Sequence, residues 1–236
     1  MTRRGVAVAA VLAAIALFLG LGVWQVQRLF WKLDLIERVD ARLAAAPVAA
    51  PGPGAWDGLT RDADEYARVT ATGNFLHERE VRTLAVTGLG SGYWVMTPLV
   101  GSDFTVLVNR GFVPQDRRDP EAREDGQVPG RVTVSGLLRL SEPGGGFLRA
   151  NDPGAGRWYS RDVAAIAAAK GLKEPVAPYF IDADATPNPG GLPVGGLTIV
   201  HFRNTHLAYA LTWFALAAGL AYLAFFRRRP ASGPFH

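Results

Sequence analysis

The sequence predicts an α+β membrane protein. Two transmembrane helices, N- and C-terminal, flank a domain with a mainly antiparallel β-sheet and one or two helices. Three observations predict it. A run of about 20 apolar residues lies near each end of the chain. The middle alternates apolar and polar residues with the period of strands. Glycine, proline and aspartate interrupt that alternation at short intervals, as turns do.

The first apolar run, residues 5–26, reads GVAVAAVLAAIALFLGLGVWQV and carries no charge; its single polar side chain is Gln25. As a helix it rises roughly 30 Å, enough to cross a hydrocarbon core. It exceeds the apolar stretch of a secretory signal, roughly 7–15 residues, and no small-x-small cleavage site follows it directly, so it reads as an uncleaved anchor. The second span, residues 206–226, is uncharged from Leu207 to Phe226. Trp24, Trp31, Tyr209, Trp213 and Tyr222 stand where interfacial aromatic anchors are expected. Long loops translocate largely regardless of their charge, so the Arg227-Arg228-Arg229 triplet after the second span sets the expected orientation. Both termini are then cytoplasmic, including a basic tail at residues 227–236. Residues 27–205 form the domain outside, which in a bacterium is the periplasm.

Within that domain, residues 33–43 read as a helix and residues 44–58, rich in Pro, Gly and Ala, as a linker or loop. Strands are expected at 66–75, 79–86, 93–100, 105–113, 131–140 and 178–184, with 197–203 a further candidate for the sheet. A short helix is expected at 161–170, ended by Gly171. Residues 115–130 contain DRRDPEAREDG and read as a solvated connection.

Composition excludes several classes. Hydrophobic residues make up 49% and charged residues 19%, which is too apolar for a disordered chain. The absence of cysteine excludes disulfides, thiolate metal sites and cysteine nucleophiles. The net charge of +4 comes without a basic stripe interleaved with aromatics, so nucleic acid is not an expected partner. No GxSxG, HExxH or P-loop pattern is present, and PGGGFLRA does not open a helix after a strand as a phosphate cradle would. Asp182 and Asp184 read as turn aspartates at a strand end. An enzyme is not expected.

Of four histidines, His236 is terminal, His77 reads as a turn residue, and His201 lies on the approach to the second span. His206 opens that span. Residues three and four apart share a helix face, so His206, Tyr209, Ala210 and Trp213 are grouped, and Trp24, Gln25 and Arg28 stand at the matching end of the first span. If the spans pack together, an imidazole, two indoles and small alanines converge. Neutral imidazole is a common haem-iron ligand, and a polar residue at a helix start is the plainer alternative.

LGLGVWQVQRLFWKLDLIERVDARL (19–43), EYARVTATGNFLHERE (65–80), GYWVMTPL (92–99), VLVNRGFVP (106–114), RWYSRDVAAIAAAKG (157–171), PYFIDA (178–183) and RNTHLAYALTWFALAAGLAYLAF (203–225) occur in that order. Together they resemble the surfeit-locus-one family of cytochrome c oxidase assembly proteins, over nearly the whole chain. The resemblance implies a bacterial plasma-membrane or mitochondrial inner-membrane protein, here taken as the bacterial form, that binds haem a as cargo and assists its insertion into oxidase subunit I. Subunit I, haem a synthase and membrane lipid are the implied partners. It maps the family's proposed iron ligand onto His206. Trp24, Gln25, Arg28 and Trp31 match the first-span motif, and Tyr209 and Trp213 match the second. Asn109, Arg110 and Gly111 match a strand-end motif whose role reads as structural, with the glycine in a turn. Thr205 departs from the polar residue the family often has before the histidine. A scaffold that holds subunit I and binds no haem is the competing reading, and a tethered periplasmic enzyme a more distant one.

Overall fold

The computed structural model describes residues 2–146, 148–173, 175–198, 200 and 202–226. The expected tail at 227–236, with Arg227–Arg229 and His236, and the alternative histidine His201 lie outside the described residues. The chain divides into two compact units. One holds the chain up to Asp40 and from Val200 onward; the other is Ala41–Ile199.

The first unit is a pair of helices. Helix α1 runs Arg3–Ala44, 42 residues without interruption, so the separate helix expected at 33–43 is its continuation. The sequence between the two, QRLFWK, holds no proline or glycine to break it. Both α1 and the last helix are long and apolar enough to cross a membrane. Less exposed positions of α1 recur every three to four residues through Gly22 and Gln25, the spacing of a helix–helix seam. Gly22 is there because a ring sits on it: a Cβ at this position would lie 2.5 Å from Cε1 of Phe214.

The second unit contains seven strands among the described residues. They are β1 (Val48–Ala49), β2 (Arg68–Phe75), β3 (Val81–Thr87), β4 (Gly90–Val100), β5 (Thr105–Pro114), β6 (Arg131–Leu140) and β7 (Val176–Ala183). Their order is β1-β2-β6-β7-β5-β4-β3. A short pairing of β2 with β4, Asn74 with Val100 and Phe75 with Leu99, joins the strands into a closed five-stranded barrel with β1 and β3 outside it. The sheet is mainly antiparallel as expected; β1–β2 and β5–β7 are the parallel pairs. Six of the seven strands fall on the predicted segments. The candidate at 197–203 forms no strand among its described residues.

The short helices are α2 (Arg61–Asp64) and α3 (Val163–Ala169), and the second apolar helix is α4 (His206–Phe225). Helix α3 starts on Asp162, whose side chain accepts from the Ala165 N–H at 3.1 Å, and ends before Gly171. Strand β5 is buried along both faces. Val106 and Val108 pack with Val69, Leu99, Leu138, Tyr179 and Ile181 on one side. Leu107 packs on the other with Met96, Trp158, Ile166 and Phe180, beneath α3. This explains why 106–113 reads as a near-continuous apolar run instead of an alternating one.

Two expectations about connections are corrected. Residues 44–58, expected as a linker or loop, are mostly exposed but hold strand β1 and a 3-10 turn at Pro53–Gly58 that is fastened to the barrel. Trp56 packs against the core, and the Trp56 Nε1–H and the Tyr179 hydroxyl both donate to the Pro51 carbonyl, at 2.9 and 2.7 Å. The charged segment 115–130 is not uniformly solvated. It winds into 3-10 turns at Gln115–Arg117 and Pro120–Gly126, and Arg123 is buried in a two-pronged ion pair with Glu80. Fork-on-carboxylate geometry satisfies both charges, and that is what permits them inside.

Candidate functional site

The site predicted in the helices is built on two residues. His206 is the first residue of α4, with its backbone N–H held by the Asn204 side-chain oxygen at 3.3 Å. Its ring Nδ1 lies 2.8 Å from Oε1 of Gln25, the single polar side chain of the first span. An amide oxygen only accepts, so Nδ1 carries the proton. In the neutral ring, Nε2 then keeps its lone pair, the form in which imidazole binds metal ions.

The other predicted residues divide by face. Trp213 lies on the seam below His206 and stacks on Phe18 of α1, with centroids 5.7 Å apart. Ala210 and Ala217 are buried on the same face. Trp24 and Tyr209 point outward, 54% and 55% exposed. Arg28 is exposed as well, its guanidinium 3.9 Å from the Trp31 ring centroid. One turn on, the Lys32 ammonium lies 4.5 Å from the Phe202 ring. The structure thus brings His206 and Gln25 together, with Trp213 in line; it does not make the two indoles converge on the imidazole. Successive helix residues point about 100° apart, so Trp24 cannot share the direction of Gln25. Among the described residues, no three His, Asp or Glu side chains gather to hold a metal ion.

The SURF1 family model matches residues 12–218, a stretch that includes both Gln25 and His206. The chain belongs to the SURF1 family. It is 39% identical to Surfeit locus protein 1 of Rattus norvegicus over 231 residues, 89% of this chain and 73% of that protein. It is also 39% identical to Surfeit locus protein 1 of Homo sapiens over 224 residues, covering 87% and 72%. A SURF1-like protein of Drosophila melanogaster is 36% identical over 225 residues, covering 86% and 71%.

In this SURF1-family chain the Asn109-Arg110-Gly111 motif sits inside β5, and Gly111 is not in a turn. Gly111 has φ +130°, and a Cβ there would come within 2.1 Å of the Val194 carbonyl oxygen; only glycine admits both the dihedral and the close approach. Asn109 accepts from the Gly111 N–H at 3.2 Å and donates to Asp182 Oδ1 at 2.8 Å.

Asp182 is correspondingly no turn aspartate. It is 2% exposed and is the hub of a polar cluster. Oδ1 accepts from Asn109 and from Arg161 Nη1 at 3.1 Å, and Oδ2 accepts from Arg139 Nη1 and Thr198 Oγ1, each at 2.9 Å. Arg139 also donates to Glu65, and Arg161 to Glu142. Burial alone would raise the Glu142 carboxyl, but the hydrogen bonds and charge of Arg161, with the charge of Arg139, hold it below the usual carboxylate range.

His77, expected in a turn, opens a 3-10 turn at His77–Arg79. Its Nε2–H donates to the Val128 carbonyl at 3.0 Å, which leaves Nδ1 to accept from Arg110 at 3.4 Å. Burial chiefly pushes its pKa down, helped by the Arg110 charge and opposed by the Val128 bond. The signal for these residues was available in VLVNRGFVP, where two polar side chains interrupt an otherwise apolar strand.

Proposed function

We propose that this chain is a membrane-anchored assembly factor for cytochrome c oxidase, which takes haem a as cargo and assists its insertion into subunit I. The observation that carries the reading is the 2.8 Å bond from His206 Nδ1 to Gln25 Oε1, which fixes the ring and leaves Nε2 as an electron-pair donor. His206 would hold the iron. Arg28 and Lys32, within two turns of Gln25 on α1, would supply positive charge for the carboxylates of the macrocycle. Haem a brings the iron that the oxidase later uses; this chain's residues only hold and orient it. As the one protein group that would hold the iron, His206 would leave it open to capture by the acceptor, which suits handover. The reading is of a carrier and not an enzyme. Its setting is the bacterial plasma membrane, with both termini cytoplasmic and the central domain periplasmic. Haem a synthase is the proposed donor, and lipid surrounds both spans.

The test is an absorption spectrum of the purified full chain, wild type and His206→Ala, produced alongside haem a synthesis. A haem a band in the wild type that is lost in the variant is the expected outcome. Wild-type protein that folds, associates with subunit I and carries no haem would establish a haem-free scaffold instead. Haem retained by His206→Ala would move the ligand elsewhere, with His201 the next residue to replace.

A further inference from the structure

A second site lies in the β domain. A cavity of about 220 Å³ opens beside β5 and β6, walled by Phe75, Val108, Val128, Val132 and Val134, with Arg110 in its lining. Arg110 is 2% exposed, and its partners are neutral. It donates to the Gly126 carbonyl, to Asn188 Oδ1 at 2.9 Å and to His77 Nδ1 at 3.4 Å, and it lies over the Phe75 ring with 4.8 Å to the centroid. Three of a guanidinium's five N–H donors are thereby engaged.

The remaining charge stands out against the other interior arginines. Arg123 meets Glu80, and Arg139 and Arg161 share Asp182 and Glu142. Among the described residues, Arg110 forms no ion pair with a carboxylate. Burial pushes its pKa down to about 10, opposed by the charge of Glu80 and helped by that of Arg123, so it remains a cation at neutral pH. A buried cation without a contacting anion is costly, and a pocket that sets such a cation and the polar Thr133, Ser135 and Asn188 against apolar walls is where a small ligand with one charged end binds. Asp184 also lines the cavity, with its Oδ1 accepting from the Thr186 N–H at 3.0 Å. Its negative charge disfavours a dianion such as phosphate, and the valine and phenylalanine walls favour an apolar body. The pocket is small and open to solvent on one side, which suits a small molecule or one terminal residue.

We propose that this cavity binds a small monocarboxylate with an apolar body, its carboxylate on Arg110 and its body against Phe75 and the valines. The probes are benzoate, benzamide and inorganic phosphate, read by saturation-transfer NMR on the full chain in detergent micelles. Benzoate should bind at least tenfold more tightly than benzamide and than phosphate. Thr186→Trp, which fills the cavity from an exposed loop position and leaves Arg110 in place, should abolish benzoate binding without unfolding the chain. Equal binding of benzamide, a preference for phosphate, benzoate binding unchanged in Thr186→Trp, or no benzoate binding to folded wild type would each overturn the assignment. Competition between isovalerate and N-acetyl-leucine then separates the two sources of such a group. Preference for the first assigns a free acid, and preference for the second a polypeptide C-terminus.

Discussion

The Asp182 cluster and the His206–Gln25 pair treat polar groups in opposite ways. Around Asp182, both carboxylate oxygens are fully used, and the arginines they hold reach on to further carboxylates. Such a hub fixes the geometry of the β domain. Among the described residues, the imidazole of His206 has one side-chain bond, and that bond uses the nitrogen that does not need to be free. A saturated group serves the fold, whereas a half-used group held in one orientation can serve a ligand. By the same measure, Arg110 belongs with His206 more than with its neighbour Asn109.

The comparison breaks most severely at its saturated end. Asp182→Ala removes the acceptor that Arg139 and Arg161 share and leaves them to Glu65 and Glu142 alone, and loss of one partner from a buried ion pair costs up to about 3–5 kcal/mol. Near-UV circular dichroism of the thermal transition should show the β domain strongly destabilised or unfolded. Adding Arg139→Met should cost less than it does in the wild type, since one of its two main partnerships is already gone; strictly additive losses would mean that the cluster is not a coupled unit.

A smaller change is expected in the helix pair. Gln25→Leu removes the acceptor for the Nδ1 proton at a cost of about 1 kcal/mol, the usual net value of one hydrogen bond. It should also release the tautomer, seen as a shift of the imidazole ¹⁵N resonances of His206 toward a mixture. Unchanged resonances would show that Gln25 does not orient the ring.

The smallest effect is a matter of pH. Burial holds the folded pKa of His77 below its unfolded value of about 6.5. The folded state then binds fewer protons, so stability rises with pH across that interval. The contribution is complete above the unfolded pKa and is lost as pH falls through the folded one. Unfolding temperatures should drop between pH 7.5 and 5, and His77→Gln should flatten that slope. An identical slope in the variant would assign the dependence to other groups.

The parts of the fold that follow from local pattern were legible in the sequence. Strands β2 to β7 announce themselves through alternation or apolar runs, and α3 through an N-terminal aspartate and a following glycine. Strand β1 has two residues, too few for any period to register. Closure of the sheet depends on Asn74 meeting Val100 and Phe75 meeting Leu99, pairs that no local window contains. Arg123 and Asp182 looked solvated because a charged residue reveals its burial only through its partner, and Glu80 and Arg139 lie some 43 residues distant. In the helices, the positions of Gln25 and His206 suggested their meeting. The direction of Trp24 required the rotational phase of α1, and grouping by proximity in sequence obscured it.

Strand β7 is the last to be synthesised, yet it sits between β5 and β6 and hydrogen-bonds to both. Until residue 183 is available, two long apolar strands keep open edges and the barrel lacks one stave. The nascent chain must therefore keep the facing edges of β5 and β6 open until the intervening residues arrive, a delay during which those edges can pair with the wrong neighbour. A reading frame that stops anywhere before Val176 leaves not a shortened domain but an unfinished one, regardless of how little of the length is missing.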